Sequence, residues 1–433
     1  MKGNKRLIRS WCMYDWANSV YNLVINTAIF PIYFVSTTEH FYGSNTVSFY
    51  GFEILNSVLY SYALAFSYLV SAAILPLLSG IADYTGKKKL FLQVFTYMGA
   101  AACMGMYFFT GDKLVWGIWC VVIACVGYSS SLVFYDAFLP EIAEEKDIDR
   151  VSGLGYAYGY GGSALMMIMS LVVISNHHVL SIERGEATRL VFLLVGLWWI
   201  GWAQIPFRRL PDNVFKKNPK GNIFLQGYQE IKKVFGALKH QRNTKLYLIS
   251  FLFFNMGVQT IMLLATLFGK IELKMESNQL IPVLLIIQFV AVGGSMLFAR
   301  LSDRKGNKYS LSLMILIWVA VCVYAYFMVS VQQFYFIAVV VGLVMGGIQA
   351  LSRATFSKLI PVDTEDHASY FSFFDVTFHI SVVLGTFSYG FINQITGSMR
   401  NSTLALASFF VIGLIFLTQV KMDHANNAPT ETP

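Results

Sequence analysis

Gly80-Ile81-Ala82-Asp83-Tyr84-Thr85-Gly86-Lys87-Lys88 lies between two long apolar runs, and Ala299-Arg300-Leu301-Ser302-Asp303-Arg304-Lys305-Gly306-Asn307-Lys308 lies between two others. Asp83 and Asp303 are 220 residues apart, as are Gly86 and Gly306. A second pair keeps nearly the same offset: Phe138-Leu139-Pro140-Glu141 against Leu359-Ile360-Pro361-Val362, with 221 residues between the prolines. A repeat of about half the chain, set among apolar runs, describes a duplicated helical bundle in a membrane, and such duplication points to transport.

Composition agrees. The 433 residues are 56% hydrophobic and 13% charged, against roughly 25% charged in an average soluble domain. A bilayer span takes about 20 helical residues. Twelve runs qualify, at 14–37, 58–82, 89–109, 114–137, 151–175, 189–207, 245–270, 279–301, 309–330, 333–356, 368–395 and 400–420. The expected fold is therefore an all-α membrane protein of twelve transmembrane helices in two six-helix bundles. Each bundle has an even number of spans, so the copies are parallel repeats about an axis along the membrane normal. The expected divisions are an N-terminal bundle over 1–207, a basic linker over 208–244, a C-terminal bundle over 245–421 and a disordered tail over 422–433. Within the linker, Leu225, Tyr228, Ile231, Val234, Phe235 and Leu238 fall near helical spacing, which predicts an amphipathic helix at the membrane face.

The net charge of +8 raises the question of nucleic acid, but its placement answers it. With the N-terminus in the cytoplasm, cytoplasmic segments hold 26 of the 32 Lys and Arg, counting Arg353 and Lys358 after helix 10. That asymmetry is the positive-inside rule; it predicts both termini inside and no nucleic-acid partner. The first apolar run carries Asp15, Asn18, Asn22 and Asn26 and is too long for a signal-peptide core, so it reads as helix 1. The expectation is a multi-pass protein of a bacterial inner (plasma) membrane, monomeric, in contact with lipid and a small-molecule substrate.

Enzyme signatures are missing from the sequence. There is no His-Glu-x-x-His, and Gly80 to Lys87 resembles a phosphate-binding loop only loosely: five residues separate the glycines, and Lys88 stands where magnesium needs Ser or Thr. Cys12, Cys103, Cys120, Cys125 and Cys322 have neither metal-ligand nor redox spacing and read as packing residues. No metal, no cofactor and no enzymatic activity are expected, and energy for transport has to come from a gradient.

Polar groups inside spans are costly in hydrocarbon and mark function. Asp15, Asn18, Asn22 and Asn26 are spaced three, four and four apart, which predicts one stripe facing into the bundle. Helix–helix hydrogen bonding and a solute-binding cavity both explain it. Asn255 and Gln259 repeat the amide pattern on helix 7. Asp375 and His379 on helix 11 are four apart and so neighbours, able to form a fixed ion pair or to carry a proton. Helix 5 holds Gly153, Gly155, Gly159, Gly161 and Gly162, which permits close helix contact.

The repeated Asp-x-x-Gly loop, Asp83 to Gly86 and Asp303 to Gly306, resembles the signature loops that the major facilitator superfamily carries after helices 2 and 8. The resemblance covers nearly the whole chain. It implies that Asp83 approaches the N-terminus of helix 11 near Ala368-Ser369, and Asp303 that of helix 5 near Val151-Ser152. Asp83, Gly86, Asp303 and Gly306 would then form conformational latches. The copies differ: the first has Gly80 and three lysines, the second Ala299 and scattered charges.

A narrower resemblance lies in Tyr14-Asp15-Trp16-Ala17-Asn18-Ser19-Val20-Tyr21, Tyr135-Asp136-Ala137-Phe138-Leu139-Pro140-Glu141, Gln349-Ala350-Leu351-Ser352-Arg353 and Phe374-Asp375-Val376-Thr377. These are similar to motifs of the branch that contains the fungal vacuolar amino-acid effluxers linked to autophagy. Phe378-His379 departs from the Gly-Lys of that branch, and helix 5 is similar to the antiporter motif but lacks its proline. The resemblance implies a secondary transporter, with amino-acid efflux coupled to protons as its finer form. Lipid or amphiphile transport and a non-transporting sensor are the alternatives.

Overall fold

The computed structural model describes residues 2–212, 215, 221–361 and 363–422. Residues 423–433 of the expected tail and the Lys216-Lys217 part of the linker lie outside the described residues. Twelve helices are long and apolar enough to cross a membrane. We number them as spans: 1, Lys5–Tyr42; 2, Asn56–Thr85; 3, Lys88–Phe108; 4, Gly111–Ile142; 5, Glu145–Ser175; 6, Arg184–Arg209; 7, Arg242–Glu272; 8, Gln279–Lys305; 9, Asn307–Phe327; 10, Val331–Leu359; 11, His367–Thr396; 12, Met399–Gln419. An even count returns the chain to the face where it started. That face, here the terminal face, also carries both repeated loops and the linker helix Ile223–His240.

Spans 1–6 pack largely on one another, as do 7–12. The two sets meet where span 5 lies against spans 8 and 10, and where span 11 lies against spans 2 and 4. Glycine sets the approach of span 5: a Cβ on Gly153 would sit 2.8 Å from the Ser295 carbonyl oxygen and 2.9 Å from the Ala299 Cβ. Trp11, Trp199 and Trp318 are fully buried at packing centres, while Leu69 and Phe387 point outward as lipid-facing side chains should.

Three features depart from the sequence reading. First, the extramembrane segment after span 1 folds into a hairpin, β1 (Thr46–Phe49) antiparallel to β2 (Phe52–Leu55), turned by Tyr50 and Gly51, both at positive φ. Secondly, span 1 is not α-helical throughout. Tyr21–Ile29 is wound as a π-helix, and Thr27 Oγ1 donates to the Asn22 carbonyl five residues back at 2.8 Å. Exposure varies along the predicted stripe: Asp15 and Asn18 are buried, Asn22 is exposed and Asn26 is half-buried. Thirdly, span 10 runs to Leu359, past its expected end at 356, and Arg353, counted above with the cytoplasmic charges, is buried within it.

The linker helix starts on Asn222, whose side chain accepts from the Phe224 and Leu225 amides. It packs on the end of span 2 through two glycines: a Cβ on Gly80 would lie 2.2 Å from the Gly227 carbonyl oxygen. Its other side reaches span 11. Lys233 pairs with Asp366 at 2.6 Å, Gln241 donates to Tyr370 at 2.8 Å, and Phe235 stacks on Phe373. Burial works against the Lys233 charge, but the hydrogen bond and attraction of Asp366 outweigh it and hold the ammonium above the ordinary lysine range.

Candidate functional site

Every hydrogen bond and ion pair between the two sets of spans, among the described residues, lies between mid-span and the terminal face. The first tie is at the repeated loop. Gly86 ends span 2 in the left-handed region (φ +69°), and the Lys87 amide turns back to the Ala82 carbonyl at 3.1 Å. This leaves the buried Asp83 carboxylate pointing across the interface, where it accepts from the Ala368 amide at 3.1 Å and the Ser369 amide at 2.7 Å. These are orphan donors of the first turn of span 11, and a helix N-terminus favours an anion. Beside it, Glu141 on span 4 pairs with Lys88 and meets His367 Nδ1 at 3.0 Å.

The second loop is built differently. Asp303 is exposed and, among the described residues, makes no hydrogen bond to span 5. The bridging carboxylate comes instead from span 5. Asp149 accepts from Ser302 Oγ and Asn307 Nδ2, each at 2.8 Å, and pairs with Lys358 at 2.8 Å. The expected Asp303 contact near Val151-Ser152 is therefore replaced by an Asp149 contact of opposite polarity. Gly306 turns the loop at φ +86°.

Deeper in the interface, Arg353 joins spans 1, 4, 5 and 10. Its Nη1 lies 3.0 Å from Asp136 Oδ1 and 3.3 Å from Asp15 Oδ2. Nε donates to Ser152 Oγ and Nη2 to the Ser152 carbonyl, both at 3.0 Å. The guanidinium is flanked by the rings of Trp11, Tyr135 and Tyr156 at 4.8, 5.5 and 4.3 Å. Tyr135 also donates to Asp15 at 2.7 Å, and Ser152 to the Ala350 carbonyl at 2.7 Å. Gly155 gives this cluster room, since a Cβ there would stand 2.6 Å from Asp15 Oδ2. Asp15 is thus engaged in an inter-span ion pair in this conformation, not free on a cavity wall. Nearer mid-span, Tyr160 donates to Gln349.

The remaining sequence candidates fall into two groups. On span 1, Asn26 donates to Asn22 at 3.2 Å, while Asn18 Nδ2 and Asn26 Oδ1 are buried without a hydrogen-bond partner. On the C-terminal side, Gln259 donates to Asn255 at 3.1 Å and Asn255 to Ser381. Two residues before Ser381, His379 packs on the ring of Tyr68 of span 2. Its Nδ1 lies 3.0 Å from Asp375 Oδ2, yet off the direction of a hydrogen bond, so both atoms are buried and unpaired. Among the described residues no group of His, Cys, Asp and Glu could hold a metal ion, and all five cysteines are free and buried.

Arg353, Asp136, Ser152 and Asp149 carry this interface, and none was a site candidate in the sequence. Arg353 and Asp136 stood only inside motifs; the signal available was that each is a charge next to or within a predicted span.

Two repeated loops on one face, twelve spans and two six-span sets joined at that face define a transporter of the major facilitator class. Solved structures agree in fold. The human organic anion transporter MFSD10 superposes with a TM-score of 0.71 at 11% identity, covering 96% of this chain and all of that one. The major facilitator transporter FucP in its outward conformation gives 0.69 at 14% identity, over 96% and 98%. By sequence, residues 3–429 match the family model described as vacuole effluxer Atg22 like, and the chain belongs to that family. It is 31% identical to the uncharacterized transporter YxiO of Bacillus subtilis over 97% of this chain and 96% of that protein. Autophagy-related protein 22 of Kluyveromyces lactis is 27% identical over 68% of this chain and 63% of its own length.

Proposed function

We propose that the protein is an alternating-access exporter of a small polar solute, an amino acid, driven by protons across a bacterial inner membrane with both termini in the cytoplasm. The observation that carries this reading is the Asp375–His379 pair: two titratable groups 3.0 Å apart, buried and unpaired at the interface of the two sets of spans. Such a pair gains partners by taking up a proton or by binding a solute. Asn18 Nδ2 and Asn26 Oδ1 offer an unpaired donor and an unpaired acceptor on span 1, complementary to a carboxylate and an ammonium. Asn22, Asn255 and Gln259 extend that polar wall. Asp83 with Gly86, and the Asp303–Gly306 loop with Asp149, act as latches on the cytoplasmic face, which is closed in this conformation. The family description names an effluxer, and the surplus of Lys and Arg on the terminal face supports the orientation.

The test is flux in liposomes. Purified protein should move labelled amino acids against an imposed pH gradient, and Asp375→Asn should remove the dependence on that gradient. No flux of any amino acid, or pH dependence unchanged in Asp375→Asn, refutes the reading. A second reading, transport of an amphiphile, is favoured by the apolar lining of a small cavity among spans 7–12, walled by Ile261, Leu264, Phe268, Ile337 and Leu406. Its one unpaired polar atom is Thr260 Oγ1. Saturable lysolipid flux without amino-acid flux would establish it.

A further inference from the structure

The charges around Arg353 do not balance. One guanidinium, 2% exposed, faces Asp15 at 6% and Asp136 at 15% exposure. The negative charge of Asp375 on span 11 also acts on Asp136. Asp375 faces the imidazole of His379, 4% exposed, at 3.0 Å. If Asp15, Asp136 and Asp375 were all ionised, even a charged His379 together with Arg353 would leave one negative charge in the sealed interface. A buried uncompensated charge costs several kcal/mol. Binding one proton removes it.

The geometry selects the carboxylate. Asp15 accepts hydrogen bonds from two side chains, Arg353 and the Tyr135 hydroxyl, and both favour its charged form. Asp136 receives one, Arg353 Nη1, and is repelled from two sides, by Asp15 on span 1 and Asp375 on span 11. Tyr156 on span 5 faces it too, and as a phenol adds no compensating charge. Asp136 is also the member of the Arg353 cluster with most access to water.

We infer that Asp136 is a proton-binding site assembled across the interface by Arg353: it holds a proton while the terminal face is closed and releases it when the two sets of spans part. On opening, Arg353 leaves with span 10, water reaches Asp136, its O–H bond breaks, the proton passes to water and the negative charge stays on the carboxylate. This rests on the alternating-access reading and adds a second titrating position to Asp375–His379, on the opposite set of spans.

The experiment is infrared difference spectroscopy of the full chain in nanodiscs during a pH titration, which needs no substrate. Wild type should show a protonated-carboxyl band at neutral pH. Asp136→Asn should lose it at every pH, Asp375→Asn should keep a band that titrates at lower pH because one repelling charge is gone, and Asp136→Glu should keep it at a shifted frequency. Absence of the band in wild type, its persistence in Asp136→Asn or its loss at every pH in Asp375→Asn overturns the assignment. If Asp136→Asn does not fold, a band that does not shift in Asp136→Glu does the same. Opening itself is read separately, from the distance between spin labels at Glu145→Cys and Asp363→Cys, both exposed on the terminal face. If that distance is fixed at every pH, alternating access fails, whatever the band shows.

Discussion

Asp83→Asn should unlatch the terminal face by an amount the structure sets. The carboxylate accepts two backbone amides of span 11, at 3.1 and 2.7 Å, from a buried position. Asparagine keeps one acceptor and turns an N–H toward the other amide, so one charge-assisted bond is lost. A hydrogen bond to a charged group contributes about 1.5–3 kcal/mol, and the charge at a helix N-terminus adds about 0.3–1 kcal/mol. Against this, the variant no longer buries a charge, which offsets part of the loss. The lower end of the range is therefore expected, and at 1.4 kcal/mol per tenfold it shifts the closed-to-open ratio by about tenfold. Asp83→Ala removes both acceptors and should shift it further. The measurement is the distance distribution between labels at Glu145→Cys and Asp363→Cys; the native thiols are all buried and stay unlabelled. Equal distributions in wild type and Asp83→Ala, or more opening in Asp83→Asn than in Asp83→Ala, refute the reasoning.

Gly153→Leu should force spans 5 and 8 apart, because its Cβ alone would come within 2.9 Å of both Ser295 and Ala299. Overpacking of this kind costs about 1–3 kcal/mol, read as a lower thermal midpoint, whereas Gly201→Ala, with nothing within 4 Å, should hold or raise it. Asp149→Asn should widen the spin-label distance more than Asp303→Asn, since Asp149 makes the contacts to Ser302, Asn307 and Lys358; the reverse order would place the latch on Asp303. The Lys233–Asp366 tie has a raised lysine pKa, so its contribution is complete below the ordinary value of 10.5 and is lost only as pH rises through the higher folded value. Proteolysis of the linker should then be insensitive to pH across the neutral range and increase in Lys233→Gln.

The spans were legible because hydrocarbon imposes a length and a composition that a single stretch of chain reveals. The loop at Asp83 was legible because it occurs twice. Arg353 was not, since its meaning depends on Asp15, 338 residues away in sequence, and on three aromatic rings from three other spans. Taken alone, an arginine near a helix end on the positive side reads as a topology signal. What periodicity did not show on span 1 is its winding: the count of three, four and four assumes an α-helix throughout, whereas Tyr21–Ile29 is a π-helix in which Asn26 still donates to Asn22. No residue in that stretch forbids an α-helix, so periodicity had nothing to detect.

The duplicated loop makes the two interfaces comparable, and they are not equivalent. In the first copy Gly80 admits the Gly227 carbonyl, so the linker helix covers the end of span 2 and reaches across to Asp366 on the other set. At the same offset of 220 the second copy carries Arg300, which is exposed and leaves no groove for a covering helix. Without that cover Asp303 stays hydrated, and a hydrated carboxylate gains little by docking on a helix end. Asp149 is the buried alternative, already fixed at the start of span 5 and matched by Lys358. Both interfaces therefore place one carboxylate across the gap, but the loop supplies it in one and the opposing helix in the other. Each interface has a second layer: the linker helix covers the Asp83 contact, while beneath Asp149 span 5 is tied to span 10 through Arg353 to Ser152 and Tyr160 to Gln349. The terminal face is therefore held from outside on the Asp83 side and from within on the Asp149 side.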